Sequence, residues 1–176
     1  MKQLPKLIFF VLITTVIFYC KKPKTQSDVP EISFKAITIT DSTDALGNEE
    51  KKIYLTFQVI DGDGDIGLKE DDTLKLFKPL GNKNLFINLY EKIDGEYVKV
   101  DLKLPHDYRT PFLELIGQQK LLKADIEVSI EYSKLLFDYD TIKYDFYLYD
   151  RELHKSNLVE TPEIPANEIG TITEEK

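Results

Sequence analysis

Cysteine occurs once in the 176 residues, at Cys20, tryptophan is absent, and the single methionine is the first residue. One thiol forms no internal disulfide, so this is not a small disulfide-stapled scaffold. Histidine is almost as scarce. His106 and His154 stand alone, with neither HExxH nor the Cys/His spacing of a zinc site. No GxSxG elbow and no GxxxxGK[ST] phosphate loop occurs, which leaves nucleophile-elbow hydrolysis and phosphate-loop chemistry without support. Arginine appears only at Arg109 and Arg151, and the 23 basic residues are outnumbered by 31 acidic ones, giving a formal charge of −8. Binding a phosphate backbone needs clustered cations, so a nucleic-acid partner is excluded.

What is present begins with an address. Lys2 and Lys6 precede an uncharged stretch at residues 7–19, short of the roughly 20 apolar residues that span a bilayer but suited to a secretory h-region. The run Val16-Ile17-Phe18-Tyr19-Cys20 resembles a bacterial lipobox, in which the cysteine becomes the lipidated first residue of the mature chain. Tyr19 departs from that pattern, standing where Gly, Ala or Ser is usual. The expected division is a signal peptide at residues 1–19, lipidated Cys20 with a polar tether at 20–30, one domain at 31–165 and a flexible tail at 166–176. An uncleaved inner-membrane signal anchor is the alternative. With 42% hydrophobic residues and ten each of Tyr and Phe, the remainder suffices for one globular core.

From residue 31 onward the periodicity is that of strands. Ile53, Leu55, Phe57 and Val59 alternate with Tyr54, Thr56 and Gln58, and even-numbered positions from Leu122 to Tyr132 alternate with charged or polar ones. Ile142, Tyr144, Phe146 and Leu148 repeat the pattern. Asp94-Gly95 between two such runs is a hairpin signal. In the first run the phase slips, with Ile32 and Phe34 on one parity and Ile37 and Ile39 on the other, which predicts a bulge or a change of sheet. About seven strands are expected, at residues 31–40, 51–60, 84–93, 96–101, 121–133, 141–150 and 157–164. The last is broken by Pro162 and Pro165 and so belongs at an edge. Such a series predicts an all-β, immunoglobulin- or fibronectin-like sandwich. Residues 102–119 carry no clear pattern.

The chemistry concentrates after the second strand, in Asp61-Gly62-Asp63-Gly64-Asp65-Ile66-Gly67. Three carboxylates at spacing two on a glycine-rich backbone suit an oxygen-seeking cation such as Ca²⁺. The loop is not an EF-hand, because position six is Ile66 rather than Gly, position twelve is Asp72 rather than Glu, and no helices flank it. A solvated Asp-Gly turn is the competing reading. In an immunoglobulin-like sandwich the loop between the last two strands lies at the same end. That places Asp150 and Asn157 within reach of a coordination shell, or Arg151 in an ion pair with the aspartates. The expected metal ligands are Asp61, Asp63, Asp65 and Asp150.

The lipobox-like cysteine, the segment from Val59 to Gly67, and Asp150-Arg151 with Ser156-Asn157 together resemble Ig-like lipoproteins of Bacteroidota that carry a DGDGDIG segment. That resemblance spans nearly the whole chain and implies a fold and an envelope location, with no enzymatic activity. Surface-exported lipoproteins of that group resemble one another in acidic residues after the cysteine, whereas Lys21, Lys22 and Lys24 follow it here. The implied location is the outer membrane, facing the periplasm.

Tyr147 and Tyr149 fall on the face opposite the Ile142 to Leu148 stripe, and with Asn157 they form a candidate partner surface. Cross-strand packing is the plainer account of the two rings. Glu114, Asp138 and Asp140 supply carboxylates for glycoside hydrolysis, although 31 acidic residues make such pairs unavoidable by chance. The sequence thus predicts a non-catalytic, lipid-anchored envelope module, with an envelope protein or glycan as partner. A carbohydrate-binding accessory protein and a divergent hydrolase are the alternatives.

Overall fold

The computed structural model describes residues 27–69, 77–114 and 120–174, so Cys20, the leader and Asp72 lie outside the described residues. Two antiparallel sheets form a sandwich. The first contains β1 (Glu31–Thr43), β2 (Glu49–Asp61), β6 (Leu122–Ser133) and β10 (Gly170–Thr173), in the order β10-β1-β2-β6. The second contains β3 (Leu85–Ile93), β4 (Glu96–Lys99), β7 (Thr141–Leu148) and β8 (Val159–Glu160), in the order β4-β3-β7-β8. Two short strands complete it, β5 (His106–Tyr108) on β3 and β9 (Ile164–Pro165) on β7.

The period-two pattern explains the layering. Ile53, Leu55, Phe57 and Val59 of β2 are fully buried, as are Ile142, Tyr144, Phe146 and Leu148 of β7, and Phe57 meets Phe146 at 5.1 Å between ring centroids. Each such side chain contributes about 1.5–3 kcal/mol by leaving water, and together they hold the sheets face to face. The phase slip in β1 is a bulge: the register with β2 shifts between Phe34 and Ala36, which returns Ile37 and Ile39 to the core. The carbonyl of bulged Lys35 accepts from the Glu174 amide at 3.0 Å. Asp94 and Gly95 both have positive φ, 51° and 89°, the backbone that a two-residue type I′ hairpin requires.

Two expectations need correction. Residues 166–176 are not simply a flexible tail, because Gly170–Thr173 pairs with β1 from Ala36 to Ile39. Without it the outer edge of β1 would present unpaired amides and carbonyls, and β-branched Thr171, Ile172 and Thr173 suit that edge. The strand expected at 157–164 is two short ones, β8 and β9, flanking Pro162, which cannot donate to a ladder. Residues 102–119 also hold β5, whose His106 lies on an inter-sheet chain: its Nε2 is 2.9 Å from the Tyr132 hydroxyl, which is 2.7 Å from that of Tyr144. His106 thus links the two sheets, and burial pulls its pKa down.

Candidate metal site

The strand order brings the end of β2 and the segment after β7 to one end of the sandwich. β2 runs out at Asp61, which pairs with Leu122 at the start of β6, and β7 ends two residues before Asp150. The Asp-Gly loop then folds inward. Ile66 and Leu68 are buried, the Leu68 amide donates to the Thr110 carbonyl at 3.2 Å, and the Arg109 guanidinium donates to the Leu68 carbonyl at 2.8 Å. Gly64 and Gly67 hold φ of 68° and 88°, in the left-handed region that glycine adopts most readily. The loop is thus part of the packed structure, not a solvated turn.

The other wall is fixed by Asn84, fully buried at the entrance to β3. Its side chain donates to the Thr110 hydroxyl at 2.8 Å and to the Tyr149 carbonyl at 3.2 Å, and it accepts from the Thr110 amide at 2.8 Å. Asp150 is also fully buried. Both of its oxygens are held by His154, one by the backbone amide and one by the ring Nδ1, each at 2.8 Å. Leu153, with φ of 68°, closes this turn by donating its amide to the Asp150 carbonyl.

Oxygens of Asp61, Asp65 and Asp150 lie within 4.8 Å of one another, and all three residues are buried. Two ligands at about 2.4 Å from a shared Ca²⁺ sit no farther apart than about 4.8 Å, so the triad has the span of a coordination sphere. Asp61 spends Oδ2 on the Asp65 amide at 2.9 Å, whereas Oδ1 of Asp61, Asp63 and Asp65 are each buried with no hydrogen-bond donor among the described residues. Unpartnered buried carboxylate oxygens cost several kcal/mol, and converging ones repel as well. A divalent cation relieves both penalties.

Arg151 does not take that role. Its guanidinium lies 4.8 Å from the Phe112 ring, with Nη1 at 3.4 Å from both the Ile66 and Gly67 carbonyls, and its backbone amide donates to the Asp65 carbonyl. It supports the loop from beneath and moderates Asp65 only through its charge. Asn157 is not a ligand either. Its side-chain oxygen accepts from the Ile32 amide and its nitrogen donates to the Ile32 carbonyl, both at 2.8 Å. That clamps β1 to the second sheet and commits one donor and one acceptor of the exposed Asn157 amide to the fold. Sequence reading also missed Glu152, grouped with Asp63 and Asp65, and His154, which orients Asp150.

Burial, and then the neighbouring aspartates, push Asp61 up to about 7, and burial with the charges of Asp150 and Asp63 pushes Asp65 up to about 6, against an ordinary 3.8. Burial raises Asp150 as well, opposed by the bonds from His154. A folded-state pKa above the unfolded value stabilises most at low pH, and that contribution is lost as pH rises through the folded pKa. In EDTA the protein should therefore lose several kcal/mol of stability from these two groups as the pH rises from 4 to 7.5. A Ca²⁺ ion held by these carboxylates would compete with those protons, so the melting-temperature gain on adding Ca²⁺ should be large at pH 7.5 and vanish near pH 5. A gain independent of pH would show that the ligands are not these carboxylates.

The aromatic and catalytic candidates gather less. Tyr147 stacks on Phe86 of β3 at 5.3 Å, meets Tyr149 edge-on at 5.9 Å, and has the Lys155 ammonium 3.7 Å from its ring centroid. Cross-strand packing accounts for both tyrosines, and little of the Tyr147 ring face is left for a sugar. Glu114, Asp138 and Asp140 are exposed, and Asp140 accepts from Asn167 at 3.1 Å. Comparison with known protein families, with curated proteins and with solved structures finds no match to this chain.

Proposed function

We propose that this protein is a non-catalytic binding module of the bacterial envelope, lipid-anchored through Cys20, facing the periplasm from the outer membrane, with a Ca²⁺-ordered loop at its anchored end. The observation that carries the reading is the convergence of unpartnered, buried carboxylate oxygens from Asp61 and Asp65 on Asp150. The strand order supports an immunoglobulin-like assignment, since β1-β2-β6 against β4-β3-β7-β8 corresponds to A-B-E against C′-C-F-G.

The position of the anchor gives the cation its task. The Gly62 amide donates to the Ser27 carbonyl at 2.9 Å, so the segment arriving from Cys20 meets the domain at the Asp-Gly loop. The chain between Cys20 and Ser27 reaches at most about 25 Å. A cation that stiffens this loop also sets how the sandwich stands on the membrane. At the opposite end the turn between β1 and β2 exposes Leu46, and the turn after β6 exposes Leu135 and Leu136, all more than 80% accessible. Those two turns are joined where the Lys134 amide donates to the Glu49 carbonyl. Exposed apolar side chains clustered at a tip suit a partner protein.

Membrane fractionation of cells expressing the full chain tests the anchor. The wild type should sediment with membranes and carry the added mass of acyl chains on Cys20. Cys20→Ser should lose that mass. Identical, unacylated masses for the two proteins in the membrane pellet would replace lipidation with an uncleaved signal anchor.

A further inference from the structure

Resting on the reading of the Asp61, Asp65 and Asp150 cluster as a cation site, we infer that the loop holds two divalent cations, with Asp65 as the bridging carboxylate and Asp63 and Glu152 completing a second, outer position. A second set of carboxylate oxygens, from Asp63, Asp65 and Glu152, also lies within 4.8 Å of one another. The two sets share Asp65, which is only 8% exposed and has an Oδ1 with no donor among the described residues. Asp63 Oδ1 is likewise buried and has no donor among the described residues, yet Asp63 is absent from the inner set. One cation held by Asp61, Asp65 and Asp150 would leave that oxygen unsatisfied.

Charge leads to the same conclusion. Asp61, Asp63, Asp65, Asp150 and Glu152 supply five carboxylates to the two sets, and one Ca²⁺ with Arg151 and a protonated His154 leaves net negative charge for a second cation to offset. A carboxylate has two oxygens and about four lone-pair sites, enough for Asp65 to serve both ions. The positions differ in character. Inner ligands are all buried, whereas the outer set includes half-buried Asp63 and exposed Glu152. An outer ion keeps more of its water and exchanges faster, so its affinity should be at least about tenfold weaker, as expected when ligands are less rigidly held.

Equilibrium dialysis of the full chain in detergent against radioactive Ca²⁺ counts the sites. Wild type should saturate at two Ca²⁺ per chain in two separable steps. Glu152→Gln should saturate at one, retaining the tighter step, and its melting temperature in EDTA should be unchanged, because Glu152 is exposed. Asp63→Asn should likewise saturate at one Ca²⁺ with the tighter step retained, and, because it removes a buried charge beside Asp61 and Asp65, it should melt somewhat higher than wild type in EDTA. Saturation of the wild type at one Ca²⁺ would overturn the second position and leave the inner site standing. Two Ca²⁺ bound by both variants would also overturn the inference, since Asp63 and Glu152 would not be ligands. No binding at all would overturn the inner site too.

Discussion

Addition of Ca²⁺ to the EDTA-treated protein at pH 7.5, to about 100 times its dissociation constant, should raise the melting temperature by roughly 8 °C. Linkage gives about 2.7 kcal/mol at that excess, and a domain of this size shifts by about 3 °C per kcal/mol. The sharper expectation concerns Asp61→Asn/Asp65→Asn. Asparagine keeps an oxygen at residue 61 to accept the Asp65 backbone amide, now at 2.9 Å, while removing two charges that burial and mutual repulsion disfavour. In EDTA at pH 7.5 the double variant should therefore melt higher than wild type, and Ca²⁺ should not move it. Gain of intrinsic stability with loss of the response distinguishes a cation site from a structural hydrogen-bond cluster, in which the same substitutions destabilise. A variant that melts lower in EDTA and still responds to Ca²⁺ would exclude the site.

How much of this was legible in the chain follows from the range of each interaction. The alternation of β2 and β7 is local and was readable, as was the bulge, because a period of two cannot change parity without an extra residue at Lys35. Asp61, Asp63 and Asp65 are neighbours in sequence, and Asp150 follows from sandwich topology. Glu152, His154 and Asn84 carried no such signal. Their roles arise where segments far apart in the chain meet, as when Asn84 reaches both Thr110 and Tyr149. Asn157 misled for the same reason: it sits 125 residues from Ile32, the backbone it clamps. The final strand was hidden by composition, since four residues after two prolines resemble a tail until the open edge of β1 is known.

Gly67→Ala should be the most damaging single substitution in the loop, costing about 3–5 kcal/mol and lowering the melting temperature in EDTA by 10 °C or more, by the same rough scale. A Cβ at this position would lie 2.0 Å from the Pro111 carbonyl oxygen and 2.7 Å from its carbon, both backbone atoms that no side-chain rotation moves away. Pro111 is bridged to Leu68, the next residue, so the collision falls where the loop is sewn to the segment after β5. Relief requires separating the two, which exposes Leu68 and Ile66 and withdraws Asp65 from Asp150. Gly47 is the control. It has nearly the same φ, 87° against 88°, and a Cβ added there would meet nothing within 4 Å. Gly47→Ala thus carries only the backbone cost of a left-handed residue, about 1–2 kcal/mol. The difference between the two variants measures the contact with Pro111. Gly67→Ala should also bind Ca²⁺ at least tenfold more weakly, whereas Gly47→Ala, in the turn at the far end of the sandwich, should bind like wild type. Equal melting temperatures for the two alanine variants would mean that the loop does not pack against Pro111, and the burial of the Asp61, Asp65 and Asp150 cluster would fall with it.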